Sequence, residues 1–239
     1  MGTPRRPVVA LDGPASSGKS SVGAAVARRL GWRFLDTGLL YRAITWLAAE
    51  RGLDLGDGPA IARLAPEVGL IADAAGRLDR VVVGGEDVSD RIRTAGVDRR
   101  VSEVARQPEV RAALLVRQRA VAADGWIVMA GRDIGTVVLP DADVKVWLDA
   151  SPEVRAARRV RERGLDPAGP EAAAILADLR SRDHVDGNRA TAPARPATDA
   201  RHVATDALDF AATVDAVVAA IAAAGLDVPA PAGPAEPAG

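Results

Sequence analysis

The sequence predicts an α/β fold in which a parallel sheet carries helices on both faces, and three observations support that prediction. First, the apolar run Val8 to Leu11 passes through Gly13-Pro14-Ala15-Ser16-Ser17-Gly18-Lys19-Ser20-Ser21 into a segment with apolar residues at Val22, Val26 and Leu30. That order is strand, glycine loop, helix. Second, the aromatic-apolar run Trp32 to Asp36 is followed by Thr37-Gly38 and a helical pattern from Leu39 to Glu50, closed by Gly52. Third, Trp126 to Ala130 (WIVMA) and Asp143 to Asp149 (DVKVWLD) are further strand-like runs, the first apolar without interruption, as a strand buried on both faces requires. Ligands of such sheets sit at the C-terminal ends of the strands, which places Asp12, Asp36 and Thr37 at the functional edge.

The glycine loop fits G-x-x-x-x-G-K-[ST], and each fixed residue has a physical task. Gly13 and Gly18 permit backbone angles that a side chain would forbid, so successive N–H groups can surround a phosphate. The positive end of the helix that starts near Lys19 favours an anion in the same space. Lys19 can reach β/γ-phosphates and the Ser20 hydroxyl can ligate Mg²⁺. Of 31 basic residues only Lys19 and Lys145 are lysines. Lys19 therefore stands out, because a planar guanidinium is bulkier and would fit the loop badly.

At 239 residues the chain can bury a proper core, and its 48% hydrophobic and 26% charged content is that of an ordinary soluble globule. A net charge of −1 gives no general attraction to nucleic acid or acidic membranes, so bound anions must be held by local Arg clusters. With no Cys and only His184 and His202, disulfides and thiol catalysis are excluded, and a His-rich metal site or a Ser-His-Asp triad is disfavoured. No apolar run approaches the 18 residues of a membrane span, and the N-terminus enters a strand without a signal-peptide core. The cytoplasm is the expected address.

Between Leu53 and about Thr94 the pattern changes. Ala60 to Val68 suits a short helix, and Gly69 to Gly85 has short apolar runs broken by Ala-Gly and Gly-Gly, which suits a small antiparallel ribbon inserted into the α/β core. Ala95 to Asp124 is helical but interrupted at Gln107-Pro108, since a residue before proline is pushed out of the helical region. Val110, Leu114 and Val121 give its second half a buried stripe. The strand at Trp126 to Ala130 ends in Gly131-Arg132-Asp133-Ile134-Gly135-Thr136, an Arg-Asp pair set between glycines where such folds keep their chemistry, although an ion pair that merely fixes a loop reads equally well.

Ser151-Pro152-Glu153 caps a helix carrying Arg155, Arg158, Arg159, Arg161 and Arg163. Arginines spaced this way crowd one side and repel unless an anion joins them. After the turn Gly164 to Pro170, Glu171 to Arg182 is again helical, so residues 151–182 read as a helical hairpin able to close over a phosphate chain. Ala200 to Thr205 is a last short strand, and Val214, Val217, Val218 and Ile221 mark a final amphipathic helix. The Pro/Ala/Gly-rich tail, 226–239, is expected to be disordered.

The glycine loop alone says only that a nucleotide is bound. The segments LDGPASSGKSSVGAAVARRLGWRFLDTGLLYRA, GEDVSDRIRT, VSEVARQPEVRAALLVRQRA, GRDIGTVVLPDADVKVWLDASPEVRAARR and RDHVDGNRATAPARPATDA together resemble bacterial cytidylate kinases in order and spacing, over roughly residues 8–221. The resemblance implies a nucleoside-monophosphate kinase: a five-stranded parallel P-loop core (about 8–52, 95–150 and 183–225), an insertion at about 53–94 and a lid at about 151–182. It implies transfer of the γ-phosphoryl of ATP to CMP or dCMP with Mg²⁺, by a monomer without nucleic-acid or membrane partners. Residues 13–21 would cradle ATP, with Ser20 on the metal, and Asp36, Thr37 and Tyr41 would line the acceptor side. Arg42, Arg132 and Arg189 would hold the acceptor phosphate. Ser102, Arg111 and Asp133 would read cytosine, and Arg182 with Asp186 would contact the sugar. Lys19, Arg132, Asp133 and the lid residues Arg158 or Arg159 would serve the transfer itself.

The chemistry agrees, because phosphoryl transfer needs two polyanions held in line while their repulsion is neutralised. Cytosine presents an amine donor beside acceptors, so its reader needs an acceptor such as Asp133 and donors such as Arg111 and Ser102; uracil reverses part of that pattern. Two positions depart from the family pattern: Ala130, where an acidic residue is common, and Val185, where Arg often occurs. Rival readings are a kinase for UMP, AMP or a non-nucleotide alcohol such as shikimate, and a non-catalytic nucleotide switch. A GTPase should carry an Asn-Lys-x-Asp guanine reader, which neither lysine provides.

Overall fold

A computed structural model describes residues 6–189 and 192–228. Its centre is strand β1 (Val8–Asp12), wholly buried, followed by the glycine loop and helix α1 (Lys19–Leu30). Strand β2 (Arg33–Asp36), helix α2 (Gly38–Glu50), the short α3 (Gly58–Ala62) and strands β3 (Val68–Ala72), β4 (Arg77–Val83) and β5 (Glu86–Asp87) come next. Helices α4 (Ala95–Ala105) and α5 (Pro108–Ala122) precede strands β6 (Ile127–Gly131) and β7 (Val144–Asp149). Helices α6 (Pro152–Glu162) and α7 (Pro170–Gly187), strand β8 (Arg201–Ala204) and helix α8 (Phe210–Ala222) complete the chain.

Five strands in the order β2-β6-β1-β7-β8 run parallel. The sheet has eight strands rather than five, because β3, β4 and β5 form an antiparallel ribbon whose β4 pairs with the outer edge of β2 at Phe34 and Leu35. A bare β2 edge would leave backbone groups unpaired, and the ribbon covers it. Gln107 is extended, with φ −71° and ψ 121°, and Pro108 starts α5, so the break in the long helical stretch falls where the proline predicts.

One face of the sheet packs under α1 and α8 through Val9, Leu11, Val26, Phe34, Val128, Val217 and Ile221. Ala130 is part of that core, so an acidic side chain at this position would point into apolar packing rather than into a cleft. A second core forms where α2, α3, α4 and α5 meet the ribbon, around Leu40, Ile44, Ile61, Val81, Val104 and Leu114. Leu226 and Val228 pack against the first core, so the start of the expected tail is ordered, and 229–239 lie outside the described residues.

Two local details bring the C-terminal strand edge together. The buried Asp12 carboxylate, at the end of β1, accepts hydrogen bonds from Ile134 N (2.8 Å) and Gly135 N (2.7 Å), which anchors the chain just after Arg132-Asp133. Burial raises the Asp12 pKa to about 6, against the pull of those two N–H donors. Gly23 lets α1 lie close to the sheet: a Cβ there would meet Phe34 Cε2 at 2.5 Å and Leu11 Cδ2 at 3.0 Å.

Gly23→Val is expected to destabilise by about 1–3 kcal/mol by overpacking, more than the roughly 0.5 kcal/mol that leaving glycine gains the helix, and thermal melting should show a lower midpoint. Asp12 has its own signature. Because its folded pKa lies above the ordinary 3.8, its protonation favours the native state at low pH, and this contribution is lost as pH rises from about 4 to 6. Urea unfolding of wild type against Asp12→Asn across that window should therefore show the wild type losing about 3 kcal/mol relative to the variant.

Candidate active site

The loop between β1 and α1 turns on two residues with positive φ, Ser16 at 58° and Gly18 at 92°. Gly13 is not one of them. It is required for close approach instead, since a Cβ there would lie 2.3 Å from the carbonyl oxygen of Leu148 on the neighbouring strand. The two glycines of the motif thus serve different purposes, one conformational and one steric.

Lys19, the first residue of α1, is buried, and its Nζ donates to Pro14 O across the loop at 2.8 Å. Burial, with the nearby Arg132 charge, holds its pKa well below the ordinary lysine value. Ser20 Oγ donates to Asp36 Oδ2 at 2.5 Å, and Asp36 Oδ1 accepts from Gly38 N, the first residue of α2. Hydroxyl and carboxylate oxygens at the loop mouth are hard donors suited to Mg²⁺. Among the described residues no cluster of three or more His, Cys, Asp or Glu could hold a metal ion. A Mg²⁺ ion at this mouth would take one or two protein oxygens, with the nucleotide supplying others.

Beyond the loop opens a cavity of about 250 Å³. From the loop and α1 it receives Ala15, Ser16, Lys19 and Ser20; from β2 and α2, Asp36, Thr37, Tyr41 and Arg42. Helices α4 and α5 supply Ser102 and Arg111, the end of β6 supplies Arg132 and Asp133, and α6 and the α7 end supply Arg159, Arg182, Asp186 and Arg189. Segments spread over the whole chain converge because they all end at one edge of the sheet. The remaining expected residues lie elsewhere. Gly13, Ser17 and Gly18 form the loop's frame, Pro14 faces a neighbouring cavity lined by Trp147 and Arg155, and Ser21 faces another beside Ala24 and Phe34. Arg158 is turned away, donating to Thr205 O at 2.6 Å and Thr205 Oγ1 at 3.0 Å.

Seven cationic side chains and three carboxylates line this cavity, in a chain whose net charge is −1. Such a local surplus of positive charge suits a polyanion. The deepest pair is Arg111 with Asp133, both buried and joined by Arg111 NH2 donating to Asp133 Oδ2. Burial raises the Asp133 pKa, against the opposing pull of Arg111. Arg132 Nε donates to Asp186 Oδ2 at 2.9 Å, and Arg189 lies 3.6 Å from Asp186 Oδ1. Burial alone would raise the Asp186 pKa, but Arg132 and Arg189 outweigh it and the net shift is downward. Arg189 itself is lowered, chiefly by burial, and among the described residues its NH2 is a buried donor without a hydrogen-bond partner. A buried unmet donor beside a cationic cavity is placed to receive an anionic oxygen.

Two polar residues here escaped the sequence reading. Gln118 is buried and hydrogen-bonds Tyr41, whose ring lies 5.7 Å from the Arg111 guanidinium. It continues the buried stripe Val110, Leu114 by four residues, and a polar residue on that stripe was the available signal. Arg155 was counted with the crowd of lid arginines, yet it is 2% exposed and donates to Ala15 O (2.8 Å), Ala150 O (2.9 Å) and both oxygens of Asp183. It joins α6, α7 and the glycine loop. The expected crowding of arginines by an anion is therefore met partly inside the protein. Helix α7 continues to Gly187, five residues past its expected end, which puts Arg182 and Asp186 one turn apart on one helical face.

Comparison with known proteins bears on the family of the chain. A family model described as cytidylate kinase matches residues 9–223. A cytidylate kinase of Pelotomaculum thermopropionicum is 43% identical over 219 residues, 91% of this chain and 96% of that protein. One from Rhodococcus opacus is 48% identical over 206 residues, 84% and 88% respectively. Among solved structures, a gluconokinase from Sinorhizobium meliloti is 18% identical with a TM-score of 0.49, covering 92% of this chain and 94% of its own. The span matched by the family model takes in the glycine loop, the Gly131-Arg132-Asp133 turn and the α6–α7 hairpin, and the chain belongs to the cytidylate kinase family.

Proposed function

We infer that the chain transfers the γ-phosphoryl group of ATP to CMP or dCMP, giving ADP and CDP or dCDP. The observation that carries this reading is the buried Arg111–Asp133 pair lining the same cavity as Lys19 and Ser20. The pair offers a fixed donor and acceptor for a base, and the glycine loop offers a phosphate cradle.

In this reading residues 13–21 hold the donor phosphates through backbone N–H groups, with Lys19 neutralising their charge. Mg²⁺, bound through Ser20 and, directly or through water, Asp36, would supply charge neutralisation at the donor phosphates. Arg42, Arg132 and Arg189 grip the acceptor phosphate, and the planar fork of Arg holds it through paired bonds. Asp133 accepts from the cytosine amine while Arg111 and Ser102 donate to its acceptors. Tyr41 stacks beside this pair, and Arg182 and Asp186 meet the sugar. Asp36 and Thr37 line the acceptor side, where Thr37 is fixed by donating to Ala130 O at 3.0 Å. Arg159 reaches the transferring phosphoryl from the lid, and Arg158 would do so only after leaving Thr205.

The hairpin of α6 and α7 serves as the lid. Its closure excludes water, which would otherwise compete as acceptor and waste ATP. Binding energy is thus spent on orientation, since two polyanions must be held in line before either will react. We further read the working enzyme as a cytoplasmic monomer without nucleic-acid or membrane partners; its charge is near neutral, and no helix among the described residues is long and apolar enough to cross a membrane.

A coupled assay of ADP release, with ATP, Mg²⁺ and each nucleoside monophosphate in turn, tests this reading. CMP and dCMP should exceed UMP and AMP in kcat/KM by about a hundredfold or more, because the wrong base leaves the buried Asp133 or Arg111 unpaired. Lys19→Ala should lower kcat by about a hundredfold or more. Equal turnover of UMP and CMP would refute the base-reading roles while leaving the phosphate loop assignment intact.

A further inference from the structure

We propose that Asp98, on the first turn of α4, is a positioning residue that stands behind Arg42 and orients it toward the acceptor phosphate; this rests on the acceptor role given to Arg42 above. Arg42 NH1 lies 2.5 Å from Asp98 Oδ1, and Arg159 NH2 lies 3.8 Å from Asp98 Oδ2. One carboxylate therefore gathers two guanidiniums from separate elements, α2 and α6. Both arginines line the nucleotide cavity, and both also line an adjoining cavity with Phe34, Leu39 and Arg77. Asp98 lines only the second. It therefore meets the two arginines from the adjoining cavity and not from within the nucleotide cavity.

That placement distinguishes a support from a competitor. A carboxylate inside the nucleotide cavity would occupy the place of the phosphate and would have to be displaced. One behind the guanidinium holds it while its opposite edge stays open. The contact engages one of the two NH2 groups of the guanidinium, so the remaining N–H donors of Arg42 stay open to a phosphate. Arg42 is also only 25% exposed, and a half-buried guanidinium without a counter-charge would be free to swing toward solvent. The N-terminal turn of α4 favours an anion at this position, which lowers the cost of keeping Asp98 charged. Ser102, one turn further along α4, lines the nucleotide cavity itself, so a single face of this helix serves base and phosphate.

The sign of the effect decides the matter. Simple charge arithmetic says that removing a carboxylate near a phosphate site tightens phosphate binding. Support of Arg42 says the reverse. We expect Asp98→Asn, which keeps the shape and removes the charge, to raise KM for CMP by about tenfold while KM for ATP changes by less than about twofold. In an Arg42→Met background the same substitution should leave KM for CMP unchanged, because the residue it acts through is gone. An unchanged or lowered KM for CMP, an equal rise in both KM values, or the same rise in both backgrounds would overturn the proposal. If Asp98→Asn fails to fold, the smaller Asp98→Ser carries the same comparison. Wild type without CMP-stimulated ADP release would defeat the acceptor assignment itself; an active wild type with an unmoved Asp98 variant defeats this inference alone.

Discussion

Mutual repulsion among the cationic side chains that share one small cavity is the constraint on which the rest of the site depends. Two like charges 4 Å apart at the protein surface cost about 4 kcal/mol, and here seven line a single space. The fold meets this by interleaving carboxylates from different elements: Asp133 against Arg111, Asp186 between Arg132 and Arg189, Asp98 between Arg42 and Arg159. Each pair also fixes a direction. The surplus positive charge that remains is directed into the cavity, where only a polyanionic ligand completes the balance.

Such an arrangement demands a rigid platform, and the parallel sheet provides it. Strand β1 lies inside the sheet, between β6 and β7, so the loop that follows it and the turn that follows β6 emerge side by side. Asp12 then pins one to the other through the backbone of Ile134 and Gly135. The same compactness explains why Gly13 cannot carry a side chain, since a Cβ there would lie 2.3 Å from the Leu148 carbonyl oxygen. Precision at the phosphate end thus derives from backbone contact, which tolerates no added atoms.

The α6–α7 hairpin meets this platform at several points, one of them the buried Arg155. Arg155 meets the glycine loop at Ala15 and meets α7 at Asp183, while Ala15, Ala156 and Leu179 form a small apolar contact beside it. The buried arginine at its base ties the glycine loop to both helices of the hairpin. Arg158 and Arg159 show how one helix divides its arginines, one bound to Thr205 and the other lining the cavity.

Much of this was legible in the sequence, and the boundary has a physical basis. The glycine loop, the alternation of strands and helices, the break before Pro108 and the convergence of Lys19, Arg42, Arg111, Arg132, Asp133 and Arg189 follow from local periodicity, from residue types with narrow uses, and from segments resembling a known family. Contacts between distant segments were not legible. No pattern along the chain says that Asp98 supports Arg42, that Gln118 meets Tyr41, that Arg155 turns inward while Arg159 faces the cavity, or that the ribbon joins the edge of β2. The chain alone determined which chemistry the edge of the sheet would carry, because backbone preference and side-chain chemistry are local. Only the tertiary structure decided which charge answers which, because that depends on side-chain direction and on neighbours tens of residues away.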